Sequence, residues 1–321
     1  MQLTYTTLGA GLVALGLTLL GCGGDKQTTA APAEGGGGSG GTAVCPPAGA
    51  GGGAGAGGGV VIGTSTCEAG KYIFLTTLDN ELLRFDPKTL AIEPVTKLTC
   101  KATPGAVPVA FAVDKQSVAW INYSDGSIHR LDMVKLDCEK TAYEAYQHGW
   151  QKFAMTFNND PSDPSGESIL VADLTLKDAS VDNPVNGLGK ISTGDLKLKR
   201  IGDFDGAYAK QRPLITGRGD GRLFAIFIDS DLPRRSVTEI DPASAKILSS
   251  VTVPAPRALY GSFAHWGGAY YYFYSSDEYT PSSIARYVPG KGMKVVVKNA
   301  NRILYGSSVS TCAPTSSPDI K

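Results

Sequence analysis

A short hairpin element recurs five times between residues 81 and 290, and this repetition constrains the fold more than any other feature. The copies begin at Glu81-Leu82-Leu83-Arg84-Phe85-Asp86-Pro87, Ser127-Ile128-His129-Arg130-Leu131-Asp132, Gly189-Lys190-Ile191, Ser236-Val237-Thr238-Glu239-Ile240-Asp241-Pro242 and Ser283-Ile284-Ala285-Arg286-Tyr287-Val288-Pro289. Proline presets φ for a turn and Asp caps it through its own backbone, so each copy reads as a strand running into a tight tip. A second short strand follows each tip. An apolar strand, a polar turn and another apolar strand precede four of the five, in Val109–Asn122, Phe153–Ala172, Leu214–Ile228 and Ser262–Tyr274. The two elements together make four strands, and a unit of that kind repeating every ~40–50 residues is the signature of a propeller blade.

The units start near Val107, Phe153, Pro213 and Tyr260. The longest, from Phe153, accommodates two added loops, Asp160–Glu167 and Lys177–Gly187. The remaining unit is split. Lys71–Leu98 supplies three strands and lacks an inner one, and Arg302–Ser310 supplies an inner-type strand with no followers. Joining them leaves no unpaired sheet edge. The expected fold is an all-β, five-bladed β-propeller closed by the C-terminal strand joining the first blade.

The expected domains are a signal peptide (1–21), a Gly-rich linker (22–66), the propeller (67–314) and a short tail (315–321). Leu8–Leu20 is an apolar run too short to span a bilayer comfortably. It ends in Leu19-Leu20-Gly21-Cys22, which resembles the bacterial lipobox, although Met1–Thr7 has no Lys or Arg. That resemblance implies acylation of Cys22 and, because Gly23 follows it, the outer rather than the inner membrane. Gly35–Gly41 and Gly49–Gly59 are almost pure Gly, Ala and Ser and would form a flexible tether. No GK[ST] closes the run, so it is not a phosphate loop. Taken with Phe85-Asp86-Pro87-Lys88-Thr89, Thr216–Phe224, Trp266-Gly267-Gly268 and Ser310-Thr311-Cys312-Ala313-Pro314, these features resemble propeller-type bacterial lipoproteins of the kind found in myxobacteria. The resemblance implies compartment and fold and carries no activity or catalytic residues.

The formal net charge is zero, so there is no basic field for phosphate backbones and no nucleic-acid partner is expected. The expected partners are a membrane, through the lipid, and a protein or small-molecule ligand, with the chain acting as a monomer.

Cysteine placement supports ring closure. Cys67 and Cys312 fall at one turn of the first blade and are expected to pair. Cys100 and Cys138 form a second expected pair, although the strand order puts them near opposite faces. Cys45 is left over. No CxxC occurs and there are three His, so no zinc site is expected.

Two channel mouths follow from the repeat. His265, Asp114, Asn159 and Asp220 occupy equivalent turns and could ring one of them. At the other, every blade contributes a carboxylate: Asp79, Asp125, Asp182 (with Asp178), Asp229 and Asp231, and Asp277-Glu278. Such a ring suits a divalent cation or a cationic partner, though no loop has the DxDxDG pattern. Arg218-Gly219-Asp220 reads as hairpin chemistry, and Tyr270–Tyr274 as core. Trp150 and Tyr279 are placed in loops as ligand candidates. No GxSxG elbow is present and His148 has no partner in the sequence pattern. A non-enzymatic binding or scaffold module without cofactor is therefore expected, with a metal-dependent hydrolase or lyase at the acidic mouth as the alternative.

Overall fold

The computed structural model describes residues 67–163, 165–174, 186–227 and 235–317. Cys22, Cys45, Asp178, Asp182, Asp229 and Asp231 lie outside the described residues. Twenty strands form five four-stranded antiparallel sheets, with no α-helix among the described residues. Blade one takes β1 (Ile73–Thr77), β2 (Glu81–Phe85) and β3 (Ile92–Lys97). Blade two is β4 (Pro108–Val113), β5 (Val118–Tyr123), β6 (Ile128–Asp132) and β7 (Asp137–Lys140). Blade three is β8 (Phe153–Asn159), β9 (Glu167–Asp173), β10 (Leu188–Ile191) and β11 (Leu198–Gly202). Blade four is β12 (Pro213–Gly217), β13 (Leu223–Phe227), β14 (Arg235–Ile240) and β15 (Ile247–Val253). Blade five is β16 (Tyr260–Trp266), β17 (Ala269–Ser275), β18 (Ser283–Val288) and β19 (Gly292–Val297). The final strand, β20 (Leu304–Ser308), lies beside β1 and completes blade one.

Each inner strand touches the next, from β20 through β4, β8, β12 and β16 back to β20. The ring is closed, and the fold is a five-bladed β-propeller. Five buried apolar clusters fill the five gaps between neighbouring blades. A blade sheet is covered on both faces, so its middle strands have no polar side. Strand β17 shows this: Tyr271 and Phe273 pack edge-on against Phe85 of blade one, at 5.6 and 5.8 Å, while Tyr270 and Tyr272 fill the gap to blade four. The aromatic run is core. Outer strands meet water and alternate weakly, as in β15, where five consecutive residues are exposed.

The recurrent tips share one construction. Asp86, Asp132 and Asp241 each accept the backbone N–H two residues on, at 2.8, 2.9 and 3.0 Å. Each also accepts, through its carbonyl, the N–H four residues on. That closure puts Leu90, Leu136 and Ala245 at positive φ, 64°, 58° and 64°. The weaker third copy does the same with Ser192 and Leu196.

Closure of blade one follows the expected pairing, with Phe74 opposite Ser308 and Leu75 opposite Ser307. The Trp266 indole N–H donates to the Gly70 carbonyl at 2.8 Å and ties blade five to the entry of blade one. A Cβ on Gly70 would sit 2.6 Å from the Cys312 carbonyl oxygen, so the two ends of the domain approach as only glycine allows.

One of the two expected cysteine pairs changes and the other holds. Cys67 and Cys312 are neighbours, as expected, but they are two thiols not joined by a disulfide. Burial, with the adjacent Cys67 thiol, pushes Cys312 up to about 12, which holds it protonated. Cys100 and Cys138 are bonded, with Cα atoms 5.1 Å apart. The strand order misjudged their faces because Cys100 lies in the connection from β3 to β4, and this segment packs along the same face of blade two as Leu131 and Cys138. Trp150, expected in a ligand loop, is 1% exposed and fills the core between blades two and three.

Candidate binding mouth

The channel has two unlike ends. At one end lie the turns between first and second strands, where Asp114, Asn159, Asp220 and His265 were expected to converge. The carboxylates of Asp114 and Asp220 are used elsewhere, and His265 is sunk in the core. Asp114 accepts the Gln116 and Val118 N–H groups and the Trp120 indole N–H. Asp220 pairs with Arg218. His265 is 2% exposed and stacks on Phe224; burial lowers its pKa to about 3.

The chain after β20 crosses this end. The Thr311 hydroxyl donates to the Glu167 carboxylate of blade three, whose other oxygen accepts the Lys115 N–H at 3.1 Å. Gly219 of blade four lies so close to the Thr311 carbonyl that a Cβ would come within 2.1 Å of its oxygen. The Gly267 N–H of blade five donates to the Pro314 carbonyl at 2.7 Å. The four residues Thr311–Pro314 thus bridge blades three, four and five at this end. The Arg218-Gly219-Asp220 turn is part of this seal.

The other end is open. The starts of the inner strands line a cavity of about 430 Å³, inside the usual range of small-molecule pockets. Its walls include Phe111, Phe153, Met155 and Phe263. Tyr260 and Tyr305 pack at a tilt with ring centroids 5.4 Å apart. Lys152 and Arg212 contribute cationic groups from equivalent positions before β8 and β12. Ser262 and Ser307 also line it, both more than nine-tenths buried, and their hydroxyls have no hydrogen-bond partner. Sequence reading missed this group because residues just before an inner strand carry no motif. The one legible signal is that Lys152 and Arg212 precede equivalent strand starts.

The acidic loops share this end, since Ser124, Leu174 and Leu259 bond across to Val107, Lys152 and Ser275. The described carboxylates do not meet there. Asp125 accepts from Thr103 and Ser127; burial raises its pKa, but these bonds outweigh it and hold the group low. Asp277 caps its own loop through Thr280 and Tyr279, which lowers it to about 2. Asp79 and Glu278 are exposed. Among the described residues, no three carboxylates come within metal-ligating distance of one another.

The fold and site define a β-propeller with a one-ended central pocket. No family model matches the chain, and no curated protein matches it. Solved structures do. The chain is similar to Kuenenia stuttgartiensis hydrazine synthase (14% identity, 71% of this chain and 65% of that one, TM-score 0.36). It is similar to a chain of the nidogen/laminin complex (12%, 77% and 99%, TM-score 0.45). It is also similar to TolB from Acinetobacter baumannii (12%, 75% and 55%, TM-score 0.44).

Proposed function

We propose that this protein is a non-enzymatic binding module, held at the cell envelope by a lipid on Cys22, that takes an anionic ligand with an apolar or aromatic body into the open mouth of its propeller. The observation that carries this reading is the composition of the cavity: apolar walls and an aromatic pair, with Lys152 and Arg212 lining it from neighbouring blades. Apolar burial would supply affinity, and the two cations with the Ser262 and Ser307 hydroxyls would orient the ligand. The acidic-mouth metalloenzyme reading is weaker, because Asp125 spends its oxygens on Ser127 and on the Thr103 N–H, and Asp277 on its own loop.

The probe is 1-anilinonaphthalene-8-sulfonate, which is aromatic and anionic. The folded protein is expected to bind it with enhanced fluorescence that weakens with salt. Lys152→Glu should weaken binding about tenfold, or ~1.4 kcal/mol, and Tyr260→Ala should weaken it with little change in salt dependence. Binding that ignores the charge reversal, or no binding to the folded protein, overturns the proposal.

A further inference from the structure

Away from the channel, Cys100, His129 and Cys138 bring one ligand atom each to within 4.8 Å of one another. They come from a connection and two strands. Cys138 pairs with Leu131 across β6 and β7, and His129 lies two residues before Leu131, so both side chains project from the same face of blade two. The β3-to-β4 connection then lays Cys100 against that face.

The state of the imidazole is set by its neighbours. The Ser127 hydroxyl donates to Asp125 at 2.6 Å, so its lone pair faces His129 Nε2 at 3.1 Å. Nε2 therefore carries the proton. Nδ1 is left with a lone pair, and it has no partner although His129 is fully buried. This is the arrangement of a metal-ligating histidine, whose second nitrogen donates into a carboxylate relay. Tyr123 packs edge-on at 5.1 Å and steadies the ring.

We propose that the reduced protein holds a thiophilic cation, Zn²⁺ or Cu⁺, between the Cys100 and Cys138 thiolates and His129 Nδ1, and that the disulfide is the metal-free form of the same site. A dithiol reductant opens it: the disulfide gains two electrons and two protons as the dithiol becomes a disulfide. Binding of the metal then releases the two thiol protons. Tetrahedral zinc, with bonds of about 2.3 Å to sulfur and about 2.0 Å to nitrogen, needs ligand atoms roughly 3.5–4 Å apart, which the two sulfurs reach once their bond is broken. Two thiolates and an imidazole select such ions over calcium or magnesium.

The test uses the full chain with Cys22, Cys45, Cys67 and Cys312 changed to Ser, so that two cysteines remain. After reduction it is titrated with Co²⁺. The expected result is one equivalent bound, thiolate-to-cobalt absorption in the near ultraviolet, and release of about two protons; the oxidised protein shows no such band. His129→Asn should weaken binding at least about tenfold. No band from reduced, folded protein, or a band of unchanged affinity in His129→Asn, overturns the proposal. Should His129→Asn fail to fold, alkylation of the reduced parent decides: Zn²⁺ slows modification of Cys100 and Cys138 if the site exists and leaves it unchanged if not.

Discussion

The Ser308 hydroxyl accepts the Val113 backbone N–H at 3.0 Å, joining the last strand of the ring to the inner strand of blade two across 195 residues of sequence. The same bond recurs from Thr156 to the Gly217 N–H at 2.9 Å and from Thr216 to the His265 N–H at 3.0 Å. At the two remaining inner-strand positions stand Ala112 and Ala264. A buried N–H that loses its acceptor costs about 1–3 kcal/mol. Thr216→Val, which keeps the shape, should therefore lower stability by roughly that amount in urea unfolding. A change below ~0.3 kcal/mol would show that the bond is idle.

Gly217 sits at the tightest contact between blades three and four, where a Cβ would lie 2.0 Å from the Phe157 carbonyl oxygen. Backbone must move to admit a methyl group. Gly217→Ala is expected to cost more than ~3 kcal/mol, beyond the usual range of single substitutions, and to appear as a sharp fall in Tm or loss of soluble protein.

The tip caps offer an additive series. Asp86→Ala, Asp132→Ala and Asp241→Ala each remove an acceptor for a turn N–H in a different blade. Each should cost about 1 kcal/mol, and the triple variant should lose their sum within about 1 kcal/mol, because distant sites act independently.

Much of the architecture was legible because propeller blades repeat in sequence. Asp-Pro tips, strand alternation and the orphan strand at Arg302–Ser310 specify blade number and the mode of closure before any coordinate is known. Trp150 was misread because a residue between two blades looks like a loop residue when only its own neighbours are considered. The cavity residues Lys152, Arg212 and Tyr305 were invisible for the opposite reason: they converge only after the ring closes. Cys100, His129 and Cys138 show the same effect. Their spacing matches no metal motif, and a cross-strand diagonal with one connecting segment assembles them.

Acid should weaken the fold through His265. Its folded pKa, about 3, lies below its ordinary value of 6.5 because burial penalises the charged ring; Arg218 and Arg222 add to this and Asp220 opposes it. The unfolded chain takes up the proton first, so stability falls as pH drops from about 6.5 toward 3, by ~1.4 kcal/mol at pH 5.5. Burial lowers His129 as well, in the same direction. Burial raises Glu167 and Asp114, which favours the folded state in acid and partly offsets the loss. Urea midpoints at pH 7 and 5.5 should differ by less in His265→Phe than in the parent. Equal differences would place the acid sensitivity elsewhere.

The proposed lipid is tested through Cys22. Labelled palmitate should enter the parent protein in cells and be absent from Cys22→Ser, with the variant shifting from the membrane to the soluble fraction. Label retained in the variant would move the anchor to another residue.

The pairing of β20 with β1 sets a timetable. A chain made from its N-terminus leaves the edge of β1 bare until Ser308 has emerged from the ribosome. Blades two to five can assemble during that interval, but the circle stays broken, and the segment that seals the channel arrives last. A polypeptide cut short by twenty residues would lack β20 and present the bare edge of β1, an open template for pairing with another chain.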